Sequence, residues 1–286
     1  EEPEFKPITN INIGIISSSL GALTANQCDG VANPQPTSND KGRLLSRGGA
    51  GTVPTYNNLG FLAWDPEGIR GGEANATTLV NNLRDMVVGV DQVGCGYEMQ
   101  LESIYRFLAD PEPYDSLVRE GGFLKKNGVD QTVLTQRKDF VRANSLLAIL
   151  VLTDENDCSV DVSGQGFFVL GSAPFYKPTE ECAANPNDPC CTSCALGNPS
   201  GCSADPTNCG PSQGSASATT YTQTEDHPNL RCFDQKRRYG VNFLYPVQRY
   251  INAFSRPKID PSRSDLAGDT VSNPIFSDLS GAGVAV

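Results

Sequence analysis

Apolar positions along the chain fall into three kinds of pattern. At helical spacing stand Leu79, Val80, Leu83, Met86, Val87 and Val90, within the stretch from Thr77 to Val90. Residues three and four apart share one face of a helix, so this spacing predicts an amphipathic helix that Thr77 or Thr78 caps and that ends near Gly89. The spacing recurs at Tyr97, Leu101, Ile104, Tyr105 and Leu108, where Pro111 and Pro113 stop it. It recurs again at Val241, Phe243, Leu244, Val247, Tyr250, Ile251 and Phe254, with Pro246 placed for a first turn. All three stripes are expected to face a core. A looser alternation over Ile11 to Ser17 predicts a strand that runs into Ser17-Ser18-Ser19, and Phe61 to Trp64 predicts a short strand inside a Gly-, Pro-, Asn- and Ser-rich excursion from Ala22 to Gly72. The third pattern is an unbroken apolar run from Leu146 to Leu152. Its length and branched residues predict a strand buried on both faces, the habit of parallel sheets covered by helices.

The remaining segments carry weaker patterns. Residues Arg119 to Asn144 are charged and mixed, with Phe123, Leu124, Phe140 and Val141 as expected anchors. From Cys158 to Cys232 the character changes: six cysteines crowd Cys182 to Cys209, and a Ser/Thr/Ala-rich stretch, Gly214 to Thr224, follows. This reads as a cysteine-rich insertion with a flexible polar tail. The expected organisation is an α/β part over 1–160, the insertion over 161–230 and a return to the α/β part over 231–286. Pro274-Ile275-Phe276 is a further expected anchor, and Gly281 to Val286 reads as the approach to a further element.

The cysteines set the compartment. They are Cys28, Cys95, Cys158, Cys182, Cys190, Cys191, Cys194, Cys202, Cys209 and Cys232. An even count crowded into loops points to disulfides and an extracytoplasmic location. Cys191-Thr-Ser-Cys194 has zinc-knuckle spacing, but the chain has one histidine, His227, and no second such pair. A net charge of −11 repels nucleic acid, so none is expected as a partner. The longest apolar run is far below the ~20 residues of a spanning helix. No Gly-x-Ser-x-Gly elbow, HExxH or Walker loop occurs, so the chain is expected not to be an enzyme. His227 is expected to be solvated, Glu98 and Glu102 to share an exposed helical face, and Lys236-Arg237-Arg238 to solvate a helix start.

Chemistry concentrates just past the apolar run, in Thr153-Asp154-Glu155-Asn156-Asp157-Cys158-Ser159. Ligands of open α/β sheets bind at the carboxyl ends of strands. Oxygen ligands from Asp154, Glu155 and Asp157 could hold a hard divalent cation such as Mg²⁺ or Ca²⁺ there; alternatively, the acids solvate the loop and cap a following turn.

LLAILVLTDENDCS resembles the strand and loop of von Willebrand factor A-like domains in bacterial secreted and surface proteins. INIGIISSSLG resembles the second core strand of that family, GCGYEMQLESIYRFL its Gly-Cys-Gly helix start, and NLRCFDQKRRYGVNFLYPVQRYINAF its downstream Arg-Cys segment. The resemblance implies a doubly wound α/β sheet, incomplete here, with a long cysteine-rich insertion. It also implies a metal-ion-dependent adhesion site in which Asp154 takes the position after the fourth strand. The Asp-x-Ser-x-Ser loop of that site occurs nowhere in this chain, so the chain is expected to lack the first strand. The expected function is an extracytoplasmic binding or adhesion module with a degenerate or incomplete metal site. The alternative is a structural subunit of an envelope or extracellular assembly, with no ligand of its own and a protein partner that supplies the missing strands. Cys28 is expected to pair with Cys95 and Cys158 with Cys232, leaving six cysteines to pair inside the insertion.

Overall fold

The computed structural model describes residues 7–25, 28, 39–92, 94–142, 145–260 and 271–277. Gly281 to Val286 lie outside the described residues. Among those described, strands pair only two at a time, always antiparallel. β1 (Ile11–Gly14) pairs with β4 (Phe61–Trp64), with Ile11 opposite Trp64, and β2 (Arg47–Gly48) pairs with β3 (Gly51–Thr52). β5 (Ser116–Glu120) pairs with β6 (Phe123–Asn127), and β7 (Lys258–Ile259) with β8 (Val271–Ser272).

The helices follow the apolar spacing. α1 (Ala76–Val90) starts one residue before Thr77, and its cap is Asn75, whose side chain accepts from the Thr77 and Thr78 N–H groups. Only part of its stripe is covered: Leu79 and Met86 are buried against Leu62 and Val53, whereas Val80 and Val87 are exposed. Gly89 permits this docking, because a Cβ there would stand 2.3 Å from the Arg47 carbonyl of β2. α2 (Gln100–Leu108) and α6 (Val247–Ser255, with Pro246 at its N-cap) enclose the largest core with residues 158–170. Val160, Val162, Phe167, Val169 and Leu170 all pack in that core. The segment from Val160 to Leu170 thus belongs with α2 and α6, although most of it falls within the expected 161–230 insertion.

The charged, mixed stretch forms two regular units. Gly121 and Gly122, at φ +57° and +81°, make the tight turn between β5 and β6. Positive φ at both central residues is what a two-residue hairpin needs. Leu124 is buried, but Phe123, an expected anchor, faces out because alternate residues of a strand point to opposite faces. α3 (Gln131–Phe140) follows, capped by Asp130 through the Thr132 and Val133 N–H groups. Asp130 also accepts two hydrogen bonds of 3.0 Å from Arg43 and one of 3.2 Å from Arg106. Burial works to raise the Asp130 carboxyl pKa, but Arg43, the Val133 N–H and Arg106 outweigh it and hold it below the ordinary carboxylate range. A depressed acid stabilises the fold above its unfolded-state pKa of about 3.9 and loses that contribution as pH falls through the lower folded value. Asp130→Asn is therefore expected to lower the urea midpoint at pH 7 and to narrow its distance from wild type at pH 3.

All ten cysteines pair. Cys28–Cys95 and Cys158–Cys232 bridge distant segments, as expected from the sequence, and Cys182–Cys191, Cys190–Cys202 and Cys194–Cys209 lie inside the cysteine-rich unit. The Cys191-x-x-Cys194 spacing therefore serves two separate bridges. The five disulfides fit an oxidising, extracytoplasmic environment. The Gly214–Thr224 stretch, expected to be flexible, is tied by backbone hydrogen bonds from Lys177 to Thr219 and from Tyr221 to Phe175. α4 (Glu181–Ala184) packs against α5 (Gln235–Tyr239). The basic run Lys236–Arg238 lies within α5 and is largely engaged: Lys236 donates to the Cys191 carbonyl, Arg237 pairs with Asp234 and Arg238 with Asp226. Among the described residues no helix is long and apolar enough to cross a membrane.

The largest departure from the sequence reading is Leu146 to Leu152. The run joins no strand ladder among the described residues. Leu146, Leu150 and Leu152 are 95%, 85% and 84% exposed, and only Leu147 touches a core. A continuous apolar run is buried only where neighbours cover both faces, and the described residues supply neither neighbour.

Candidate functional site

The exit of β1, residues 91–92 and 94–98, and the segment 150–154 surround a cleft of about 350 Å³. The exit loop is fixed by its own serines. Ser17 donates to Asp40, which Arg47 grips with two N–H groups, and the Ser19 hydroxyl accepts from the Cys95 N–H at 3.1 Å. The Ser18 carbonyl accepts from the Met99 N–H at 2.9 Å, which seats the start of α2 against this loop. Cys28–Cys95 fastens the same corner.

On the opposite wall the acidic loop divides into two parts. Asp157 turns inward. One of its oxygens accepts from the Leu101 N–H at 2.9 Å and from the Ser159 hydroxyl at 2.8 Å, and the other accepts from the Ser159 N–H at 3.0 Å. The Ser159 hydroxyl in turn accepts from the Glu102 N–H at 2.9 Å. The N-terminus of α2 has no cap from its own Met99, so a segment far along the chain caps it instead. A carboxylate there also complements the positive end of the helix dipole. Asp157→Ala is expected to lower stability by about 1–2 kcal/mol, read from urea unfolding, with Asp157→Asn costing less because the amide keeps one acceptor.

Asp154 and Glu155 point the other way and are exposed. Thr153 holds this turn: its hydroxyl accepts from the Glu155 N–H at 3.1 Å and from the Gln100 side chain at 2.7 Å. Gln100 also donates to Glu98 at 3.1 Å. The structure therefore separates the three acids proposed as metal ligands: Asp154 lines the cleft, whereas one Asp157 oxygen caps α2 and the other accepts from the Ser159 N–H. Among the described residues, no group of three or more His, Cys, Asp or Glu could hold a metal ion.

Glu102 differs most from its expected role. It is 4% exposed and meets Arg249 through two hydrogen bonds of 3.0 Å, with Tyr250 donating a third at 3.2 Å. The Arg249 guanidinium lies between the rings of Tyr105, at 3.7 Å, and Tyr245, at 4.1 Å. This cluster joins α2 to α6 and belongs to the scaffold. His227 caps the short turn Pro228–Leu230 by accepting from the Asn229 N–H.

Asp40, Asp91, Gln100 and Ser103 also line the cleft, and pattern reading did not single them out. For Gln100 and Ser103 the available signal was position, since both follow closely on Gly94-Cys95-Gly96 at the start of α2. No protein-family model matches this chain, and no curated protein or solved structure matches it either.

Proposed function

We propose that the chain is an extracytoplasmic protein-binding or adhesion module of the von Willebrand A-like kind, with the cleft beside Asp154 as its ligand-facing part. One observation carries this. The cleft opens where β1 and the segment 146–152 both end, and in the doubly wound sheet that the family resemblance implies, that end is where ligands bind. Its walls are held by hydrogen bonds and a disulfide, so it is preformed. A divalent cation on Asp154 would need further oxygen ligands from a binding partner. The immobilised chain, challenged with an envelope protein fraction, should retain a set of proteins that Asp154→Lys releases. An unchanged retained set would overturn the assignment of the cleft. Isothermal titration with Mg²⁺ and Ca²⁺ on wild type and Asp154→Ala tests the cation. Heat present in both, or in neither even with the retained protein added, removes the cation from the proposal.

A second reading rests on the exposed run 146–152. In an incomplete doubly wound sheet, β1, β4 and 146–152 are three of the strands, and a partner in an envelope assembly supplies a fourth between β1 and 146–152. The chain without its partner is then expected to self-associate. A monodisperse monomer by light scattering would count against this reading.

A further inference from the structure

The cleft carries an unbalanced set of groups. Asp91, Glu98 and Asp154 line it, and none of them forms an ion pair among the described residues. Asp40 is already neutralised by Arg47. Gln100 and Ser103 also line the cleft and are 8% and 0% exposed. Gln100 Oε1 and Ser103 Oγ are buried and have no hydrogen-bond partner among the described residues. Buried polar groups in folded proteins are overwhelmingly paired, so two orphans in one cleft wall point to a ligand that supplies donors.

Charge and geometry narrow the ligand. A divalent ion needs its oxygens to converge at about 2.0–2.6 Å, and the described residues offer no such converging group. Carboxylates spread around a cleft suit a delocalised cation instead. A guanidinium presents five N–H donors in a plane and has no acceptor to be left unpaired. Ile16, Ile104 and Leu150, also in the walls, can cover the aliphatic stem of such a side chain. The segment that leads into the cleft, 146–152, is a run of apolar residues whose backbone forms no hydrogen bond among the described residues. That is the template for β-augmentation, in which main-chain pairing gives affinity and side-chain pockets give specificity.

We infer that the cleft receives an arginine side chain carried on an extended segment of a partner protein that pairs with 146–152. This rests on the proposal that the cleft is the ligand-facing part. Steering is consistent with it, since a chain of net charge −11 attracts a basic segment.

Fluorescence anisotropy tests it with labelled peptides of about nine residues, alternating valine and threonine, the length of one strand pairing. One pair carries a terminal arginine, at either end because strand direction is open, and the matched pair carries glutamate. Wild type is expected to bind one arginine peptide at least about tenfold tighter than its glutamate match. Asp91→Lys combined with Asp154→Lys, both at exposed positions, should reverse that preference. Successive N–H groups of a strand point to opposite edges. Either Ile149→Pro or Leu150→Pro should therefore abolish binding while the circular dichroism spectrum stays unchanged. Equal affinity for arginine and glutamate peptides overturns the inference and leaves the cleft as a strand-binding face. No binding of any peptide overturns the inference and also removes 146–152 as a pairing edge. A dimer by light scattering that a proline variant converts to monomer, with no peptide bound, assigns the edge to a second copy and also overturns it.

Discussion

Arg249→Ala is expected to lower the unfolding free energy by about 3–5 kcal/mol, the cost of leaving a buried charge without its partner. Arg249 is 1% exposed, and its guanidinium is the only cation bonded to the buried Glu102 among the described residues. Removing it strands the carboxylate between α2 and α6 and also removes the slab between the Tyr105 and Tyr245 rings. The double variant Glu102→Gln with Arg249→Met separates these effects. It removes both charges and keeps most of the volume, so its cost should be well below the sum of the single changes. Urea unfolding at pH 7 followed by tryptophan fluorescence reads both. A loss of under about 1 kcal/mol for Arg249→Ala would mean that water reaches the pair and that it behaves as a surface salt bridge.

The second large effect concerns Cys158–Cys232. The bridged residues are 74 apart in sequence, against 9 for Cys182–Cys191. Restricting the unfolded chain by closing a long loop stabilises the fold more than closing a short one. The loop-entropy relation gives about 4.5 kcal/mol for the first and about 2.7 kcal/mol for the second. Replacing Cys158 and Cys232 together by alanine should therefore cost more than the same change at Cys182 and Cys191. The difference should grow because Cys158 is also part of the largest core and sits between Asp157 and Ser159, which cap α2. Guanidinium unfolding ranks the variants, and amide exchange should show α2 losing protection in the first and not in the second. The reverse ranking would mean that loop entropy does not control these bridges.

Patterns that depend on near neighbours were legible in the sequence. The helices α1, α2 and α6 fall on the stretches whose apolar residues stand three and four apart, although Val241, Phe243 and Leu244 precede α6 and Val247 and Ile251 on it are exposed, and β1 and β4 fall where short apolar segments predicted them. Apart from the two long-range disulfides, properties conferred by distant residues were not legible. Glu102 looks like a surface acid because nothing within a turn of it announces Arg249, which lies 147 residues away. The β5–β6 hairpin was hidden because its strands are mostly exposed and their alternation is weak, so the paired glycines were the main signal. Leu146 to Leu152 was read as buried from its own composition, but burial is a property of what stands opposite. At the candidate site, the acidic loop singled out at the end of the apolar run places Asp154 on the cleft wall. The sequence could not distinguish Asp154 from Asp157, whose roles diverge only through the hydrogen bonds of the latter to α2 and Ser159.

The cap on α2 has a consequence for how the chain reaches its native state. The residues that satisfy the Leu101 and Glu102 N–H groups lie 56 and 57 positions downstream. When a chain enters its compartment from the N-terminus, the start of α2 arrives well before its cap does. In that interval the helix has only its intrinsic propensity, and an isolated segment of nine residues is marginal in water. Maturation of this corner is therefore a late, long-range event, and contacts distant in sequence are the kind that slow folding.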